Sequence, residues 1–223
     1  MEEQKALGVD FSIASKDVIE ALLEEVADPN MFEEILQLNK QRPEILQLLV
    51  ENYETPEHIK EDAAKLLQIP VKSVQISAKP EAAQNRSTTL LQRVQGLTVS
   101  EKRLLAMRGG REARSVLIKD TNKQVVMAVL ENPKITESEI EILAHLRSIS
   151  DEILRAITKN REWMKNYAIM LAITTNPKTP PGIAIPMLGS LKVRDLTTIE
   201  KNRNVAEALR TAAKKMAHAK KPH

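Results

Sequence analysis

The sequence contains no cysteine, so it forms no disulfide and offers no thiolate to a metal. Aromatic residues are scarce, at 2% of 223 residues, and Trp163 is the sole tryptophan. A hydrophobic content of 42% therefore comes mainly from Leu, Ile, Val, Ala and Met, which suits closely packed helices. No uninterrupted apolar run approaches the roughly 20 residues that a membrane-spanning helix needs. The opening Met1-Glu2-Glu3-Gln4-Lys5 lacks the basic-then-apolar order of a secretory signal. These absences lead us to expect a cytoplasmic protein with no membrane insertion.

The usual signatures of catalysis are missing too. His58, His145, His218 and His223 form no His-Glu-x-x-His pair. The sequence has no Gly-x-Ser-x-Gly elbow and no phosphate loop ending in Gly-Lys-Ser/Thr. We expect no catalytic residue, no metal, no cofactor and no enzymatic activity.

What the sequence does contain is helical punctuation. Ser15, Pro29, Pro43 and Thr55-Pro56 each open an apolar-periodic stretch, and together these read as four short helices. Thr98 with Glu101, and Thr136 with Glu139, have capping-box spacing. Ser150 is placed to cap a further helix, and Thr179 another with Pro180 at its first position. In the octet Asn160 to Tyr167, continued to Thr174, the spacing of Trp163, Tyr167, Met170 and Leu171 predicts one helical face.

Charge divides the chain. Residues 1–70 hold 16 acidic and 6 basic side chains, a balance of −10; residues 71–223 hold 14 and 27, a balance of +13. We expect residues 1–69 to be an acidic four-helix module and 70–87 a linker rich in Pro, Ser and polar residues. Residues 88–219 read as a basic HEAT-like helical-repeat domain, and 220–223 as a disordered tail. The opposite balances imply contact between the halves or an anionic partner for the basic one.

The repeat reading rests on spacing. Asn132-Pro133-Lys134 and Asn176-Pro177-Lys178 are 44 residues apart, and segments starting at Lys119, Lys159 and Lys201 are 40 and 42 apart. Such periods are those of helical repeats stacked as an α-solenoid, in an all-α fold. Together with Arg108-Gly109-Gly110-Arg111-Glu112-Ala113-Arg114, the octet, Asn176-Pro177-Lys178-Thr179-Pro180 and Lys201-Asn202-Arg203-Asn204-Val205, these segments resemble an uncharacterised bacterial family of α-helical repeats. That family is similar to HEAT and leucine-rich-repeat-variant solenoids. The resemblance covers about 90–218; it implies the fold and no reaction.

Two stretches are candidate surfaces. Arg108, Gly109, Gly110, Arg111 and Arg114 suit either a phosphate grip or a helix–helix turn with a left-handed glycine and solvated arginines. The second is favoured by the frequency of Gly at helix ends. Arg161, Lys165 and Asn166 read as surface, while Trp163 and Tyr167 read as repeat core rather than a recognition pair, because Met170 and Leu171 extend their face. The leading functional expectation is a non-catalytic scaffold for a protein or peptide. The alternative is a nucleic-acid binder that meets duplex backbone with its basic half.

Overall fold

The computed structural model describes residues 11–24, 29–69 and 83–220. Among the described residues the fold is all-α, with fourteen α-helices, two 3-10 turns and no strand. None of these helices is long and apolar enough to cross a membrane. Residues 1–10 and 25–28 of the expected acidic module, 70–82 of the expected linker and 221–223 of the expected tail lie outside the described residues. The chain forms two compact units, Met1–Pro133 and Lys134–His223. The boundary read from composition thus falls inside the first unit.

The first unit contains α1 (Lys16–Leu23), α2 (Pro29–Leu38), α3 (Pro43–Glu51), α4 (Glu57–Leu67), α5 (Ala83–Gly96), α6 (Val99–Arg108), α7 (Arg111–Leu117) and α8 (Lys123–Leu130). Pro43 occupies the first turn of α3, where its missing amide costs no hydrogen bond. The Thr98–Glu101 capping box opens α6 as expected. At the end of α4 Gln68 adopts a left-handed conformation, φ 58°, which lets the Ile69 amide reach the Ala64 carbonyl at 3.1 Å. Helix α5 starts at Ala83, inside the stretch expected to be linker. Gln84, Asn85 and Ser87 are polar but not helix-breaking, and the last proline of that stretch is Pro80.

Phe11 is fully buried, while Ile13, two residues on, is 82% exposed. The acid-rich helices meet the following ones directly. Helix α1 packs on α6. Arg93 pairs with Glu20 at 3.3 Å and Glu24 at 3.0 Å, and Arg108 with Glu34 at 3.4 Å. These partly exposed pairs add little stability each, but they fix which charged faces adjoin.

The second unit contains α9 (Glu137–His145), α10 (Asp151–Lys159), α11 (Tyr167–Thr175), α12 (Pro181–Met187), α13 (Val193–Lys201) and α14 (Glu207–Ala219). The 3-10 turns are Trp163–Lys165 and Leu188–Ser190. The Thr136–Glu139 box opens α9, and the Ser150 hydroxyl caps α10 by accepting from the Ile153 amide. Thr179 does not cap α12. Pro180 holds that position, and the buried Thr179 hydroxyl donates instead to the Ile173 carbonyl at 2.6 Å, near the end of α11, which also accepts from the Asn176 amide. Leu188, Leu196, Ile199 and Leu209 form the core around α12 to α14, and Tyr167, Met170 and Leu171 pack against it.

One polar device recurs in both units. The side-chain amide of Asn132, just past α8, donates to the carbonyls of Ala106 (2.8 Å) and Gly109 (3.0 Å) at the end of α6. Asn176, just past α11, donates to Ala144 (2.7 Å) and Leu146 (3.0 Å) at the end of α9. Asn52, at the end of α3, donates to Leu23 (3.1 Å), the last residue of α1. A helix leaves its last carbonyls without intrahelical donors, and one amide carries two donors to supply them. The group α12 to α14 uses a lysine. Lys220, expected in a free tail, donates from Nζ to the carbonyls of Gly189 (2.6 Å) and Leu191 (2.9 Å), just past α12. Helices α1, α4, α6, α9 and α12, which open the successive groups, begin 41, 42, 38 and 44 residues apart.

Asn132 and Asn176 are almost wholly buried, at 2% and 5% exposure. Replacing either with Ala takes the side-chain donor from a helix-end carbonyl, Ala106 or Ala144, while Gly109 keeps Arg114 and Leu146 keeps the Ile149 amide, and should cost about 1–3 kcal/mol in urea unfolding. Asn160 reaches no carbonyl of a neighbouring helix through the bonds it makes in its own turn, so Asn160→Ala should cost less than about 1 kcal/mol. Equal losses at all three sites would show that the recurring bond is not what holds these helix pairs.

Candidate functional site

In the first unit, the expected left-handed glycine between α6 and α7 is not found. Gly109 has φ −65° and Gly110 φ −75°. Glycine is needed at 109 for proximity: a Cβ there would lie 2.4 Å from the Leu105 carbonyl oxygen and 2.8 Å from Ala113 Cβ. Nor are the arginines all solvated. Arg114 is buried and donates to the Gly109 carbonyl at 3.3 Å. Arg108 lies over the Phe11 ring, 5.5 Å from its centroid, and pairs with Glu34. Of the three, only Arg111 is exposed. The arginines, expected to be solvated around a helix–helix turn rather than gripping a phosphate, are thus directed to separate tasks, two of them in holding the unit together.

The octet in the second unit is built differently from the single helix its spacing predicts. Helix α10 ends at Lys159, a 3-10 turn spans Trp163–Lys165, and α11 starts afresh at Tyr167. Asn166 makes the break. Its Oδ1 accepts from the amides of Ala168 (2.9 Å) and Ile169 (3.4 Å), capping α11, while its Nδ2 donates to Glu137 at 2.6 Å. Tyr167, Met170 and Leu171 do share a packed face; Trp163 belongs to the preceding turn and stays half-buried.

That turn is longer than its counterparts. Seven residues, 160–166, separate α10 from α11, against five between α7 and α8 and five between α13 and α14. It is also well restrained. Asn160 Oδ1 accepts from the amides of Glu162 (3.0 Å) and Trp163 (3.3 Å), and Lys165 pairs with Glu162 at 2.7 Å. Arg161 and Lys165 are exposed, as expected of surface residues.

Tyr167 anchors the far side. Its hydroxyl donates to Asp195 and accepts from the Lys192 amide at 3.0 Å. The Lys192 ammonium sits over the ring, 5.0 Å from the centroid, a cation–π contact. Lys192 and Asp195 were not legible as site residues, because they lie 25 and 28 positions away with no local pattern linking them to Tyr167. Among the described residues, no three His, Asp or Glu side chains lie together as a metal site. Comparison of the chain with family models, curated proteins and solved structures returned no match.

Burial and the bond to Asp195 both favour the neutral phenol and raise the Tyr167 pKa above its ordinary value. The folded state then holds this proton more tightly than the unfolded chain. The associated stability is intact below the ordinary tyrosine pKa, about 10, and is lost as pH rises toward the folded-state value. In a Tyr53→Phe variant, phenolate absorbance should therefore appear at higher pH in the folded than in the urea-unfolded protein. Coincident titrations would contradict the restraint described for Tyr167.

Proposed function

We propose that the chain is a helical-repeat interaction scaffold of the α-solenoid kind, akin to HEAT-like and leucine-rich-repeat-variant proteins, which binds a protein or peptide and catalyses no reaction. The regular helix-group intervals and the recurring amide-to-carbonyl bonds support the repeat reading. The observation that carries the binding reading is the 160–166 turn. It is longer than the turns that precede α8 and α14, it is locally fixed, and it displays the sole tryptophan half out of solvent. Tryptophan and arginine are enriched among residues that dominate binding energy, and a pre-ordered loop loses little entropy on docking.

The test is capture by the full-length chain and by a Trp163→Ala variant shown to be folded by circular dichroism. A stoichiometric protein partner should be retained by the former and bind the latter with about 2 kcal/mol less free energy, roughly thirtyfold more weakly. Equal retention by both proteins, or none by either, counts against the scaffold reading at this turn.

A further inference from the structure

We propose that the 160–166 turn receives an acidic segment of a partner protein, with Trp163 as apolar anchor and Arg161 and Lys192 as its charged contacts. This rests on the scaffold reading above and specifies the partner's chemistry.

The argument begins with which charges are already spent. Three carboxylates surround the turn and the start of α11, and each is engaged: Glu162 with Lys165, Glu137 with Asn166, and Asp195 with Tyr167. Arg161 and Lys192 are two cations there with no carboxylate partner among the described residues. Arg161 is exposed on the turn itself, two residues before Trp163. Lys192 is exposed and lies against the Tyr167 ring, at the first residue of the helix into which the turn leads. The ring holds the ammonium in place without neutralising it.

The wider field has the same sign. The second unit carries 16 Lys and Arg against 9 Asp and Glu. An incoming carboxylate would be drawn to it by that field and met locally by a guanidinium able to bind it through two parallel N–H donors. Trp163 supplies adjoining apolar surface, so the fitting segment has acidic residues flanking a hydrophobic one.

The same features disfavour single-stranded nucleic acid. Sequence-tolerant binding of single strands uses successive aromatic faces as base-stacking platforms. Here one face of Tyr167 is taken by Lys192, both phenylalanines are buried, and Trp163 stands alone on the turn.

Trp163, being the only tryptophan, reports on its own site. The full-length chain is titrated with a peptide of glutamates around a central leucine, and separately with a DNA duplex, while tryptophan emission is recorded. The peptide should give a saturable change that weakens as salt is raised. The Arg161→Glu/Lys192→Glu variant should bind it at least tenfold more weakly. Arg161→Gln and Lys192→Gln, which leave the Lys192 backbone bond to Tyr167 available, should each show a smaller loss, and they serve if the double variant misfolds. No saturable change with the peptide, or undiminished binding by the charge variants, overturns the proposal; so does a response to the duplex alone. A captured protein partner that depends on Trp163 but ignores these charge changes overturns the acidic-segment proposal and leaves the scaffold reading intact.

Discussion

A carbonyl at the end of a helix has no donor within that helix, and in this chain helix ends are unusually numerous. The α-helices run from 7 to 14 residues, so terminal groups make up a large share of each helix's backbone. Satisfying them from outside is the constraint that shapes the packing. Asn52, Asn132 and Asn176 each terminate one helix and supply donors to the end of the helix two before it, while Lys220 does so for the last group. A single side chain therefore sets both where a helix stops and which neighbour it lies beside. The asparagine oxygen contributes as well, since Asn52 and Asn176 accept from the amides of Glu54 and Lys178 and so turn the chain toward the next helix.

Helix starts were far more legible in the sequence than helix ends. Capping boxes at Thr98 and Thr136, the cap at Ser150 and the proline at the start of α3 are local devices, readable from three or four consecutive residues. The ends depend on partners 23 to 32 residues away, as for Asn132 and Asn176. The break at Asn166 shows why periodicity misled. Apolar residues at helical spacing run through it, but the asparagine has both a local role, capping α11, and a distant one, bonding Glu137. Asn-x-x-Thr-Pro, present at 52–56 and 176–180, was a signal available and unused for joining the N-terminal helices to the later pattern.

Of the candidate site, the residues on the exposed turn were legible and the restraints on them were not. Arg161 and Lys165 sit at the surface as composition suggests, whereas Tyr167 is tied down by Lys192 and Asp195 from a later helix. The arginines near Gly109 illustrate the converse. Their clustering in sequence suggests joint action, but Arg108 and Arg114 leave the turn in different directions, toward Glu34 and back to Gly109. The division of charge along the chain likewise failed to mark a boundary between compact units. Arg93 and Arg108 draw the acidic helices onto their successors within the first unit.

The prolines that follow Asn132 and Asn176 carry a consequence for the chemical lifetime of the protein. Asparagine deamidates most readily when the amide nitrogen of the next residue attacks its side-chain carbonyl, and proline has no N–H to take part in that ring closure. Were either residue converted to aspartate, two donors would become an anionic oxygen set against two carbonyl oxygens, and a helix-joining bond would turn into a repulsion. Placing proline directly after these two buried amides closes that route of ageing at the positions where it would do most harm. Asn52, followed by Tyr53, lacks the same protection.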